Sequence, residues 1–210
     1  MRVPDNFINC VVFAGYREQN QNSKEPKIGG TAFLYAQPHE NVKNHFHPYL
    51  ITTKHSIEFI GQHSSDGKVH LRFNTKIGEN EGTEKTYSWI STEVKDWKHH
   101  PQTDISIYSW LENRSGRMND LDVVAVMPNM AADKNIVRTE LIGIGDEVLT
   151  IGLFSKRAGE KRNVPIVRIG NIAANPDENE TVNTQYIKDD GSISCRTALY
   201  WWIKWLPSFC

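Results

Sequence analysis

Residues 49–57 read YLITTKHSI and join a short apolar strand directly to a histidine. The run at 49–53 has the β-branched and aromatic composition of a buried strand, and no Gly or Pro separates it from His55. Twenty positions before Tyr49, the pair Gly29-Gly30 opens a second apolar segment at 31–35, which also predicts a strand. We interpret His55 as a general base held at a strand end.

The remaining segments have the same character. They are short, apolar or alternating, and separated by turn residues, and none has a helical period of useful length. Strands are predicted at 7–16, 31–35, 49–53, 69–73, 86–90, 105–110 and 165–173, with a short helical turn at 56–60. Residues 121–127 are a further apolar run, and residues 143–154 predict a tight turn at Gly145-Asp146 followed by a strand. This pattern favours an all-β sandwich or barrel.

The bulk composition narrows the functional classes. The 210 residues are 39% hydrophobic and 23% charged with a net charge of −1, which is typical of a globular chain and gives no reason to expect binding to nucleic acid or to an anionic membrane. We expect no membrane span and no signal peptide, because no apolar run has the necessary length. Cys10, Cys195 and Cys210 are an odd number without a close pair, which predicts a reducing, cytoplasmic location.

Five segments of the chain resemble those of a known family. Residues 30–34 (GTAFL) and 49–55 (YLITTKH) resemble trypsin-like, chymotrypsin-fold serine peptidases, where a Gly-Thr/Ser-Gly-Phe strand precedes a strand ending in Thr-Ala-x-His. Residues 100–107 (HPQTDISI) are similar to the family segment in which an Asp opens an alternating strand, and Asp104 follows His55 by 49 positions. Segments 143–148 and 165–172 resemble second-barrel strands of its bacterial members, so the resemblance covers residues 7–174.

The resemblance implies a fold and an activity. The fold would be all-β, with two six-stranded antiparallel barrels of which the second is incomplete: residues 1–112 form the barrel carrying His55 and Asp104, 113–189 a partial second barrel, and 190–210 a tail. The activity would be hydrolysis of a peptide or protein substrate by acyl transfer. His55 would be the base and Asp104 the residue that orients it, with no cofactor and no metal.

Two alternatives bear on the site residues. Asp122, which opens the apolar run DVVAV, rivals Asp104, but the His-Pro lead-in and the spacing favour Asp104. His45, His47, His99 and His100 suggest metal binding, with the loop at 38–48 as the place for it. No Cys or carboxylate stands at a recognised zinc spacing, so we interpret these histidines as surface and loop residues.

The expected nucleophile is missing from the chain. In the family it lies in a Gly-x-Ser-Gly-[Gly/Ser]-Pro segment, and Ser192, Ser194 and Ser208 have no such glycine pattern around them. Trp has the single codon TGG, so residues 200–203 (YWWI) must be encoded by TAY-TGG-TGG-ATH. Read one nucleotide later, the two central codons become Gly-Gly.

Continued through residue 210, the shifted frame permits Ile-Gly-Gly-Leu-Ser-Gly-Ser-Pro-Val-Phe, with all three glycines compulsory. We therefore predict a frameshift between residues 174 and 190, close to Asp189, with the tail from Asp190 out of frame. The chain as given would lack the nucleophile and the adjacent N–H groups of the oxyanion hole, and we expect it to be inactive. The alternative is a non-catalytic binding or regulatory protein that retains the peptidase fold.

Overall fold

The computed structural model describes residues 9–19, 25–43, 45–76, 86–110, 120–154 and 158–172. The predicted frameshifted tail at 190–210 and the predicted domain boundary between residues 112 and 113 lie outside these residues. The described residues divide into two compact units. The first takes in the described parts of Met1–Pro128 and Ile151–Ile166, and the second those of Asn129–Thr150 and Val167–Cys210.

A seven-stranded antiparallel sheet dominates the first unit. In chain order its strands are β1 Val11–Tyr16, β2 Lys27–Pro38, β3 Phe46–Thr52, β4 Lys68–Asn74, β5 Tyr87–Glu93, β6 Lys98–His99 and β7 Ser106–Ser109. Their order across the sheet is β5-β4-β1-β2-β3-β7-β6. Neighbouring strands share apolar cross-strand contacts such as Leu34 opposite Leu50 and Leu50 opposite Tyr108.

The sheet curls into a half-barrel. Its two edge strands, β5 and β6, are consecutive in the chain and joined only by residues 94–97, which include the 3₁₀ turn Val94–Asp96. The five Cα–Cα steps from Glu93 to Lys98 span at most about 18 Å, so the two edge strands lie within this distance of each other at this end. Trp97 anchors this connection to β5. Its ring is buried, and its Nε1 donates to Thr92 Oγ1 at 3.0 Å.

The core lies on one face of the sheet, since its residues alternate along the strands. Among its fully buried side chains are Val12, Leu50, Ile57, Ile60, Val69, Leu71 and Phe73. Burying each such side chain contributes about 1.5–3 kcal/mol relative to exposing it. Ile57 and Ile60 belong to helix α1, Lys54–His63, which follows β3 after one residue. These two side chains therefore anchor α1 to the core.

A glycine pair allows this helix to lie close to β2. A Cβ atom on Gly30 would be 3.1 Å from Ser56 Oγ, and one on Gly29 would be 3.0 Å from Ile60 Cγ1. Both distances are tighter than ordinary van der Waals contacts. Gly29-Gly30 thus serves packing against α1 in addition to opening a strand.

The second unit contains α2, Lys134–Thr139, begun by Asp133, whose Oδ1 accepts from Ile136 N at 2.8 Å. Strands β8, Glu147–Gly152, and β9, Ile166–Asn171, pair as a two-stranded sheet. The predicted turn at Gly145-Asp146 is present, with Gly145 at a φ of 96° that suits glycine.

The prediction of a largely β-sheet protein is confirmed, while the described residues do not show two complete barrels. The helical turn predicted at 56–60 is present, but it belongs to the longer ten-residue helix α1. The apolar run at 121–127 forms no strand, only single bridges from Leu121 to Thr75 and from Val126 to Tyr35. No helix in the described part of the chain is long and apolar enough to cross a membrane.

Candidate active site

His55 lies in the first turn of α1, directly after β3. The strand end before it is firmly anchored, since Thr52 is fully buried and its Oγ1 donates to the carbonyl of Thr31 on β2 at 2.8 Å. The change from strand to helix between Thr52 and Lys54 turns the chain, so that the imidazole projects from a rigid corner rather than from a free loop.

Asp104 holds His55 through both oxygens of its carboxylate. Asp104 Oδ2 lies 2.5 Å from His55 Nδ1, and Asp104 Oδ1 accepts from the His55 backbone N–H at 2.9 Å. The carbonyl of Asp104 also accepts from Lys54 N at 3.3 Å. A carboxylate can only accept at Nδ1, so Nδ1 carries a proton and Nε2 is the acceptor in the neutral ring.

The loop that presents Asp104 is itself clamped by His100. His100 Nδ1 accepts from the backbone N–H groups of Gln102 at 3.2 Å and Thr103 at 3.0 Å, and His100 N donates to the carbonyl of Ile105 at 2.8 Å. The sequence reasoning treated His100 as a loop residue. The one signal in the sequence for this role was a histidine four residues before Asp104, within the same loop.

A chain of hydroxyl groups lies on the other side of the imidazole. Thr53 Oγ1 is 3.3 Å from His55 Nε2 and 2.6 Å from Ser56 Oγ. Because Nε2 is the acceptor, Thr53 donates to it and Ser56 donates to Thr53. Position 53 departs from the Ala of the resembled family, and its hydroxyl occupies the side of the ring from which a base would take a proton.

The electrostatics of the pair favour an ionised carboxylate. Burial acts to raise the pKa of Asp104, but the hydrogen bonds and the charge of His55 outweigh it and hold the pKa below its ordinary value. The side chains of His55 and Asp104 are 41% and 46% exposed. The pair is therefore open to solvent on one side, where a reactant can approach it.

The structure distinguishes between the two candidate carboxylates, Asp104 and Asp122. Asp122 forms an ion pair with Arg162 at 3.2 Å, and its backbone N–H donates to Asn74. The carboxylate beside His55 is that of Asp104.

The other histidines have local partners. The rings of His39 and His47 stack at 4.8 Å, and His99 Nδ1 contacts Ser106 Oγ at 2.5 Å. His45 is exposed, and its backbone pairs with His39 and Val42. Among the described residues, no group of three or more His, Cys, Asp or Glu side chains is arranged to hold a metal ion.

Ser192, Ser194 and Ser208, the serines in the region expected to supply the nucleophile, lie outside the described residues. Comparison with protein-family models, with curated proteins and with solved structures gave no match to the chain.

Proposed function

We propose that this chain derives from a trypsin-like serine endopeptidase and that, in the reading frame given, it lacks the nucleophile. The observation that carries the proposal is the double hydrogen bond from His55 to the Asp104 carboxylate, at 2.5 Å and 2.9 Å. It supports a base with a fixed tautomer, which is the arrangement that acyl transfer by a serine requires.

In the proposed reaction, a serine Oγ attacks the carbonyl carbon of a peptide bond while His55 Nε2 takes the hydroxyl proton. His55 then delivers that proton to the departing amine as the C–N bond breaks. Water hydrolyses the acyl-enzyme by the same route, with His55 again as base. Asp104 stabilises the imidazolium form in both steps without itself becoming protonated.

The missing serine is proposed to lie in the shifted frame behind residues 200–210. That frame permits Gly-Leu-Ser-Gly-Ser-Pro, in which the codons of the two tryptophans Trp202 and Trp205 force the glycines. The segment would supply the nucleophile and the backbone N–H groups that stabilise the oxyanion. The three cysteines without a close pair support a cytoplasmic setting.

The coding DNA gives the first test. If the shifted frame through codons 190–210 lacks the Gly-x-Ser-Gly segment, the proposal fails. If it is present, deleting one nucleotide near codon 189 yields a frame-restored chain, which is expected to hydrolyse peptide substrates while the chain as given does not.

Variants of the frame-restored chain test the roles. His55→Ala is expected to lower kcat by about 10⁴–10⁶-fold, and Asp104→Asn by about 10⁴-fold because it favours the wrong tautomer. Asp122→Asn is the matched control, because Asp122 pairs with Arg162 and should leave kcat unchanged. Equal losses for Asp104→Asn and Asp122→Asn would contradict the assignment.

A second candidate function is non-catalytic binding by the retained fold. The observation that favours it is the Thr53 hydroxyl, which lies 3.3 Å from His55 Nε2 and leaves that nitrogen hydrogen-bonded without a serine. A frame-restored chain that folds cooperatively and shows no hydrolysis of any peptide in a mixed library would favour this alternative.

A further inference from the structure

A second set of Ser, His and Asp side chains lies on β4 and β5, separate from the residues that hold His55. His70 on β4 is directly opposite Ser91 on β5. Its Nε2 is 3.0 Å from Asp66 Oδ2, and its Nδ1 is 2.8 Å from Ser91 Oγ. All three side chains are therefore connected through the two nitrogens of one ring.

The protonation states of this set follow from its contacts. Burial acts to raise the pKa of Asp66, but the hydrogen bond from Ser64, the charge of His70 and the N–H of Lys68 together lower it, so the carboxylate is ionised. An ionised carboxylate only accepts, which places the ring proton on Nε2. Burial lowers the pKa of His70 although Asp66 opposes this, so the ring is neutral at pH 7. Nδ1 must then accept, and Ser91 donates to it.

The base and the hydroxyl-bearing residue of this set differ in their exposure to solvent. His70 is only 4% exposed, so its ring is largely shielded from bulk water. Ser91 is an exposed residue, and its hydrogen bond to His70 is partly buried. The positive charges of Arg17 and Lys68 lie close enough to His70 to lower its pKa further, which keeps the ring neutral and able to accept a proton.

We infer that Ser91 is a nucleophilic serine, activated by His70 and Asp66, that accepts an acyl group from small activated esters or a phosphonyl group from fluorophosphonates. This site goes beyond the proposed peptidase centre and uses none of its residues. Neither Asp66, His70 nor Ser91 belongs to the motifs that suggested the peptidase family.

With an aryl ester, Ser91 Oγ forms a bond to the carbonyl carbon while its proton moves to His70 Nδ1. The bond between the carbonyl carbon and the aryl oxygen breaks, and the aryl oxide leaves with that proton as a phenol. Water then hydrolyses the acyl-serine to the free acid, again with His70 as base. With a fluorophosphonate, the P–F bond breaks, HF is lost and the adduct on Ser91 is stable.

The test uses the chain as given, a biotinylated fluorophosphonate and p-nitrophenyl acetate. The expected result is one phosphonyl adduct per chain and a burst of p-nitrophenol. Tryptic peptide 86–95 contains both Ser88 and Ser91, so fragmentation of that peptide must place the adduct on Ser91. Ser91→Ala should abolish the adduct, and Ser88→Ala, on the same strand, should retain it.

Two variants test the base and its orienting carboxylate. His70→Ala is expected to slow labelling by about 100-fold or more. Because His70 is buried, Asp66→Asn is a milder second variant, which keeps the size of the side chain and is expected to slow labelling about tenfold. His45→Ala, which changes an exposed histidine outside both sites, should leave the rate unchanged.

Several results would overturn the inference. They are a folded chain that takes up no phosphonyl group, an adduct on a serine other than Ser91, or a labelling rate at Ser91 that neither His70→Ala nor Asp66→Asn changes. None of these results would bear on the frame-restored peptidase, whose labelling depends on His55.

Discussion

The carboxylate of Asp104 accepts hydrogen bonds from both the ring and the backbone of His55, at 2.5 Å and 2.9 Å. The backbone contact has a consequence for the fold as well as for the site. The N-cap residue of α1, Thr53, makes no side-chain cap hydrogen bond, so Asp104 satisfies one of the N–H groups that the helix start leaves unpaired. An anion at this end of a helix is also favoured by the helix dipole.

This dual role predicts different costs for two substitutions of Asp104. Asp104→Ala removes the acceptor for His55 N and is expected to lower the free energy of unfolding by about 1–2 kcal/mol. Asp104→Asn keeps an oxygen that can accept this N–H and should cost clearly less. Urea denaturation of the two variants checks the difference, and equal costs would show that the backbone contact contributes nothing.

His100 is expected to hold the loop before Asp104 through its Nδ1. His100→Ala should speed amide hydrogen exchange at Gln102 and Thr103 by about tenfold, because each loses its acceptor. His100→Asn places an oxygen near the position of Nδ1 and should restore much of the protection. His99→Ala is the control, since His99 contacts Ser106 instead. Unchanged exchange in His100→Ala would exclude the clamp.

The contact between His55 and Asp104 could be anticipated from the sequence because both residues stand in short motifs with a characteristic spacing. The same reasoning missed most of α1. Only Ser56, Ile57 and Ile60 of its ten residues are buried, so too few apolar positions recur at helical spacing to predict a helix. The helix forms because tertiary packing against Gly29-Gly30 stabilises it, and a linear pattern does not contain that contact.

Strand β4 shows a second limit. Its alternation predicted a half-buried strand, yet residues 69–74 are all buried, including His70 and Arg72 at 4% exposure each. The strand lies between β1 and β5, and Arg72 is further covered within the same unit, where it donates to the carbonyl of Gly159 at 2.6 Å. The sequence predicts that polar residues on such a strand are exposed. The structure shows that they are buried and hydrogen-bonded to other parts of the chain.

The approach of β2 to α1 predicts that Gly30 does not tolerate a methyl group. In Gly30→Ala the new Cβ would be 3.1 Å from Ser56 Oγ and 3.2 Å from Ser56 Cβ, so α1 must shift. We expect a loss of about 1–3 kcal/mol in the free energy of unfolding. Gly152→Ala is the control, because no atom lies within 4 Å of its Cβ position.

A double mutant isolates this contact. Ser56→Ala removes the oxygen nearest to the new methyl group, so Gly30→Ala combined with Ser56→Ala should lose less stability than the sum of the two single changes. Strict additivity in urea denaturation would show that the space beside Ser56 does not limit position 30.

The burial of His70 predicts that the fold loses stability in mild acid. Burial lowers the pKa of His70 below its ordinary value of 6.5, against the opposing charge of Asp66 and with help from Arg17 and Lys68. Below about pH 6.5 the unfolded chain therefore binds more protons at this position than the folded chain, and the free energy of unfolding falls as the pH falls.

Urea denaturation between pH 7.5 and pH 5 should show this dependence of the free energy of unfolding on pH. His70→Gln should flatten it, whereas His45→Gln, which changes an exposed histidine, should retain it. A slope that persists unchanged in His70→Gln would mean that another group controls the acid sensitivity of the fold.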